Sequence, residues 1–477
     1  MGVINMPKIA IVGAGSIIFS TTLVNDILAT ESLNNSEFVL IDPAFEKVKK
    51  VENYTKKIIE KNNLSARVWS TSDRKAAIKD ADFVITTFQI GGMEAYKIDY
   101  EVPMKYGVDQ CLGQCVGPGG IFRGLRSIPV LKEIVYEMEE QCPEALLLNY
   151  VNPMAINSIG IGKSGKINFV GLCHGVQTTL DLIAGYVGVK KEEIDFLAAG
   201  INHMAWFLKL EKDGKDLYPI FKKNLEKPDY YINDKVRLEV TRHFGYFMTE
   251  STGHLSEYLP YFRKNKKALD LYCDQPAFGG ESGAYYKWCD YIAKKYEEKD
   301  FLGFETGKLN PRGKDYCSYL IEAKTTGKIF ELNGNVLNKG FITNLPENCC
   351  VEVPIFVDKM GIYPVKVGDL PMQLAALNQS NVTVQMLAAE AALTGDPELA
   401  FEAAAMDPLT SAVLTLTEIR DMTIELFEGL EKWLPQFKGK KPKKVNIINI
   451  PEGTKGVSVP LDPALAVANR FGKLGDN

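Results

Sequence analysis

A chain of 477 residues is too long for one ordinary core and predicts two domains. Hydrophobic residues make up 46% and charged residues 24%, the balance of a globular protein in water. The formal net charge of −5, with acids and bases interspersed, excludes the basic footprint of a nucleic-acid or anionic-membrane binder. No apolar run approaches the roughly 18 residues that cross a bilayer. Met6-Pro7-Lys8 leads straight into an apolar run, where a signal peptide would need a longer apolar region and a cleavage site. Nine cysteines without framework spacing point to a reducing compartment, and the cytoplasm is the expectation.

The elements follow in chain order. Ile9 to Val12, Phe38 to Ile41, Phe83 to Thr86, Ala145 to Leu148 and Phe169 to Leu172 read as buried strands. Helical patterns at Thr21 to Thr30, Phe45 to Lys61 and Ile128 to Gln141 alternate with them, which predicts a parallel sheet covered on both faces. After His203 the pattern changes. Helices are expected at Asp234 to Tyr246 and Tyr285 to Lys299, strands within Lys328 to Phe356, then alanine-rich helices at Leu374 to Leu393 and Pro397 to Ala404. The predicted architecture is α/β: a parallel-sheet domain over 1–205, an α+β domain over 206–437, and an extension over 438–477 that opens on the basic run Lys438 to Lys444.

Gly13-Ala14-Gly15-Ser16-Ile17-Ile18 follows the first strand and opens a helix. Two glycines there permit a tight turn and let a pyrophosphate approach the backbone, where the helix N-terminus offers free N–H groups. Ile18 stands where a third glycine is usual. Asp42 ends the second strand, where a carboxylate binds a ribose hydroxyl and repels a 2′-phosphate, so NAD is expected over NADP. This is a Rossmann-type start. Two further turns, Gln89-Ile90-Gly91-Gly92 and Asn149-Tyr150-Val151-Asn152-Pro153, lie on the same sheet edge, where ligands of open parallel sheets bind. Gln89 and Asn149 are candidates for the cofactor there, although asparagine is also common in turns for local reasons.

Of four histidines, His174 adjoins Cys173 at the end of a strand and His203 lies 30 residues after Cys173. One cysteine with one or two histidines could form an open divalent-metal site, and the spacing matches no structural zinc pattern. A purely structural pair remains the alternative.

Longer blocks accompany these residues. They include Gly117-Pro118-Gly119-Gly120-Ile121-Phe122-Arg123, Leu148-Asn149-Tyr150-Val151-Asn152-Pro153-Met154 and Gly171-Leu172-Cys173-His174-Gly175-Val176-Gln177. Ala199-Gly200-Ile201-Asn202-His203-Met204-Ala205, Thr249-Glu250-Ser251, Asn344-Leu345-Pro346 and Cys350-Val351-Glu352-Val353 continue them. Together they resemble family 4 glycoside hydrolases from Lys8 to about Leu434, closest to the α-galactosidase branch. The resemblance implies the two-domain layout of lactate and malate dehydrogenases, a requirement for NAD and a divalent metal (usually Mn2+), and a homodimer or homotetramer. It implies Cys173 and His203 as metal ligands, His174 as an acid near the glycosidic oxygen, Tyr258 as a base, and Asn152 against sugar hydroxyls. The implied chemistry is transient oxidation at C3, elimination at C1 and C2, and return of water and hydride. A carboxylate pair is therefore not required.

Two positions depart from the α-galactosidase pattern. Its C-H-S-V block is here Cys173-His174-Gly175-Val176, and an aspartate ahead of G-P-G-G is replaced by Gln114. If both line the sugar site, a hydroxyl and a negative charge are lost, so a hexuronide competes with a galactoside as the expected substrate; α-glucosidase and α-glucuronidase relatives also carry C-H-G. A 2-hydroxy acid dehydrogenase and a non-catalytic NAD sensor are the competing readings.

Overall fold

The computed structural model describes residues 6–295 and 306–457. Among these, twelve strands join in one mixed sheet. Its first part is built from β1 (Lys8–Val12), β2 (Glu37–Ile41), β3 (Arg67–Thr71), β4 (Phe83–Thr86), β5 (Leu146–Asn149) and β6 (Asn168–Gly171). These lie parallel in the order β3-β2-β1-β4-β5-β6, the doubly wound order of a Rossmann-type sheet. The five expected strands are all present. Four of them are almost wholly buried, as parallel strands covered on both faces must be. β3 went unpredicted because it is a partly exposed edge strand, RVWST, without an apolar run.

The helices between them match the expected ones, with one large difference. Helix Gly117–Gln141 begins 11 residues before the expected Ile128. Its first turn is Gly-Pro-Gly-Gly, which reads as a loop by propensity, but burial on all sides compensates and Pro118 suits the first turn. Gly119 admits no side chain, since a Cβ would lie 2.5 Å from the Gly113 carbonyl oxygen. Deeper in that helix Arg126 pairs with Asp99 at 2.6 Å, and both side chains are fully buried. Removing one partner leaves an uncompensated buried charge. We therefore expect Asp99→Ala to lose about 3–5 kcal/mol of stability, read from urea unfolding.

The second half extends the same sheet. β7 (Asp195–Ile201), β8 (Met204–Lys212) and β9 (Lys215–Asp216) form an antiparallel run, and β10 (Phe330–Leu337), β11 (Cys350–Val357) and β12 (Ile362–Pro364) form another. β10 joins β6 through one residue pair, Asn335 with Gly171, and β11 joins β7 through one pair, Glu352 with Gly200. Residue 205, the expected domain boundary, lies inside β8 of this shared sheet. Helices Lys235–Phe244, Met372–Thr394 and Pro397–Met406 fall where expected. Helix Ala284–Lys295 covers the described part of the one expected over Tyr285 to Lys299; residues 296–299 lie outside the described residues.

Among the described residues, those up to Lys444 form one compact unit, and those from Val445 belong to a second. The described part of the latter, 445–457, has no helix or strand and is exposed. All nine cysteines are free. No helix among the described residues is long and apolar enough to cross a membrane.

Candidate active site

The glycine loop leaves β1 with Gly13 at φ +96°, a conformation that favours glycine, and a Cβ there would lie 2.6 Å from the Thr87 backbone. Gly13 and Ala14 both donate N–H bonds to the Ile41 carbonyl, so the loop rests on the end of β2. Asp42 follows directly. Its carboxylate accepts from Gly15 N at 3.2 Å and Ala44 N at 2.7 Å. Ser16 precedes helix Ile17–Leu28 without capping it through its hydroxyl, and it is exposed. Ile17 is buried in the first turn, so only its backbone faces the loop's ligand side.

The next two turns stand beside this loop. Gln89 accepts from Arg123 at 3.0 Å and donates to the Gly92 carbonyl at 3.0 Å. Asn149 is fully buried; it accepts from Thr86 at 2.9 Å and donates to the Val151 carbonyl at 3.3 Å. Its amide therefore ties β4 to β5 within the protein. Arg123 also donates to the Asn152 carbonyl at 3.2 Å, while its third nitrogen is buried without a partner. Gln114 is 5% exposed, and its Oε1 is likewise buried and unpartnered. The loop that carries Gln114 is held by Glu257, which accepts from Leu112 N at 2.5 Å and Gly113 N at 3.2 Å. Burial pushes the Glu257 carboxyl up to about 7.

Cys173 and His203 come together beyond the carboxyl ends of β6 and β7. His203 occupies the two-residue turn of the β7–β8 hairpin at φ +65°. Thr249 N donates to Ala205 O at 2.8 Å and Ala205 N donates to Thr249 Oγ1 at 3.1 Å, which pins the next residue, Glu250, beside that turn. Glu250 has φ +76°. A non-glycine residue held there costs about 1–3 kcal/mol, and such strain collects at functional sites. One ligand atom from each of Cys173, His203 and Glu250 lies within 4.8 Å of the others. The Cys173 thiol lies 3.3 Å from Glu250 Oε1, and His203 Nε2 lies 3.9 Å from the same oxygen. His203 Nδ1 is buried without a partner.

Burial sets the charge states. It holds the His203 imidazole below its usual value and pushes the His254 imidazole down to about 3, so both are neutral. Burial opposes the charge on Glu250, yet its carboxyl is held below its usual value, with the Cys173 hydrogen bond and the Arg237 charge favouring the ionised form. The Cys173 thiol is pushed well up by burial and by Glu250. Glu352, across from Gly200, is raised to about 8 by burial and by Glu250, so one of the two acids carries the charge. A neutral imidazole, an ionised carboxylate and a thiol that can surrender its proton make a donor set that suits a divalent cation.

Two groups flank this cluster. Tyr258, on helix Thr252–Tyr258, is 2% exposed, with its ring centroid 6.4 Å from that of His203. Burial pushes its hydroxyl well up. His174 starts helix Gly175–Val187 on the exposed side, and its Nε2 lies 2.5 Å from Asp315 Oδ2. Tyr150 and Cys317 N bind the other Asp315 oxygen. The bond to Asp315 raises the His174 imidazole above its usual value. Sequence reasoning missed Glu250 and Asp315 as members of the site. Glu250 lies in the Thr249-Glu250-Ser251 block, which gave it no role, and Asp315 carries no local signal.

Fold and site together define a Rossmann-type α/β protein with a three-donor cluster at the carboxyl edge of its sheet. Residues 8–189 match the description "Family 4 glycosyl hydrolase" and residues 198–410 its C-terminal domain. The chain belongs to this family of glycoside hydrolases. It is 40% identical over 441 residues to an α-galactosidase of Bacillus subtilis (strain 168), covering 91% of this chain and all of that one. It is 37% identical to an α-galactosidase of Rhizobium meliloti (strain 1021), covering 90% and 89%. A 6-phospho-α-glucosidase from gut microorganisms, solved in complex with NAD and Mn2+, superposes with a TM-score of 0.75 at 19% identity, covering 90% of this chain and 99% of that one.

Proposed function

We propose that the protein is an α-galactosidase that uses NAD and a divalent metal, Mn2+ among them. The observation that carries this reading is the meeting of Cys173 with His203, 30 residues apart, beyond the strand ends of the sheet that carries the glycine loop in a family 4 chain. The loop fits NAD: without side chains Gly13 packs on the Thr87 backbone and Gly15 on the Asp42 carboxylate, a tight strand-to-helix turn whose helix N-terminus would take the pyrophosphate, with Asp42 beside it for a ribose hydroxyl. Cys173 and His203 would hold the metal, since a thiol and the Nε2 side of a buried imidazole converge there on one carboxylate oxygen. NAD supplies a reversible hydride acceptor at C3, and the metal supplies charge that acidifies the neighbouring C2 proton.

The chain's own residues then divide the work. Tyr258 removes the C2 proton from within the buried wall of the site. His174, oriented by Asp315, gives a proton to the departing oxygen at C1. Asn152 and Gln114 hold sugar hydroxyls, and the buried, unpartnered Gln114 oxygen is an acceptor awaiting a donor. The free thiols support a cytoplasmic site of action, and we infer a homo-oligomer.

Galactosides, glucosides, glucuronides and galacturonides of p-nitrophenol, assayed with NAD and Mn2+, test the proposal. We expect galactoside cleavage without net NADH, abolished by EDTA and restored by Mn2+. A faster galacturonide would overturn the sugar assignment, and stoichiometric NADH release the hydrolytic one. The acid role has a pH signature. Because Asp315 raises the His174 imidazole, protonated His174 persists to higher pH. Asp315→Asn removes that support, so the alkaline limb of the kcat profile should move to lower pH; an unmoved limb would exclude His174 as the acid.

A further inference from the structure

We infer that Glu250 is a third protein ligand to the metal, and that Gly175 is the residue that lets it reach the site. The inference rests on the metal reading above and adds a donor to the Cys173–His203 pair.

A Cβ at Gly175 would lie 2.1 Å from Glu250 Oε1 and 2.9 Å from its Cδ. The carboxylate therefore fills the space that any side chain at 175 would occupy. The loss of a hydroxyl read from the Cys173-His174-Gly175 block has this meaning: the vacated space belongs to Glu250. The same Oε1 is the atom 3.3 Å from the Cys173 sulphur and 3.9 Å from His203 Nε2, so one oxygen faces both other donors. Glu250 is also held at φ +76° between Thr249, tied to Ala205, and Ser251, which caps the next helix at His254 N. Its backbone is over-determined on both sides.

The chemistry is balanced. In the metal-free protein the thiol proton lies between sulphur and carboxylate. On binding a divalent cation, Cys173 would give up that proton to solvent, and its sulphur, the His203 imidazole and the Glu250 carboxylate would hold the cation. A carboxylate also adds a hard donor to a soft one, which suits Mn2+.

The test measures metal, not turnover. Free Mn2+ is titrated by electron paramagnetic resonance against the full chain, wild type and variants, with NAD binding and circular dichroism as folding controls. Cys173→Ser tests the underlying site and should weaken Mn2+ binding. Glu250→Gln should raise the Mn2+ Kd at least about tenfold, with a smaller loss for Zn2+. Gly175→Ser, with the carboxylate intact but displaced, should weaken Mn2+ in the same direction. The Co2+ complex of Glu250→Gln should keep its thiolate charge-transfer band. If Cys173→Ser weakens Mn2+ while Glu250→Gln does not, Glu250 is no ligand. Equal losses for Mn2+ and Zn2+ would reduce it to a positioning residue. If Cys173→Ser itself has no effect, the metal reading fails with it.

Discussion

Replacing Cys173 by Ser should lower kcat/KM about a thousandfold, the loss of roughly 4 kcal/mol of transition-state stabilisation that a Lewis-acid site supplies. The thiol lies against Glu250, and the next residue, His174, already serves Asp315. A serine keeps the size but has no acidic proton to give up and no soft donor. Added Mn2+ should therefore rescue only partly. Stopped-time assays over a range of Mn2+ separate lost affinity from lost turnover, and retention of wild-type kcat at saturating Mn2+ would contradict the site.

Replacing Tyr258 by Phe should lower kcat by about 10²–10⁴, the range of a lost general base. Mn2+ affinity should stay at the wild-type level, since Tyr258 faces the His203 ring and is not one of the three donors. The metal-free site raises the phenol well above its usual value, chiefly by burial. A bound divalent charge would reverse part of that effect. Consequently the acid limb of the kcat profile should depend on metal occupancy in wild type and disappear in Tyr258→Phe. Equal turnover in the two proteins would remove Tyr258 from the chemistry.

The parallel strands were legible because burial on both faces writes them as apolar runs: Lys8–Val12, Glu37–Ile41 and Phe83–Thr86 each sit where such a run lies. The glycine loop and Asp42 were legible because backbone approach and a strand-end carboxylate leave local marks. Cys173 and His203 became legible through long blocks, not through spacing. Glu250 was not, because its role depends on two contacts far away in sequence: the hairpin turn at His203 and the bare Cα of Gly175. Asp315 is more remote still, 141 residues from the His174 that it orients. The start of helix Gly117–Gln141 was hidden because glycine and proline signal a break unless tertiary packing overrules them.

The single residue pairs that stitch the two parts of the sheet have a consequence for the order of folding. β1 to β6 gather by helical crossovers that each bridge fewer residues, whereas the Asn335–Gly171 junction closes a loop of 164 residues. Closure of such a loop is slow and late relative to the local pairings that precede it. Cys173 lies just beyond that junction, while His203 and Glu250 arrive with the later strands. The nucleotide loop can thus be complete while the donors are still apart, and a cation that binds only the finished cluster acts as a latch on the last step, stabilising the native chain in proportion to its concentration.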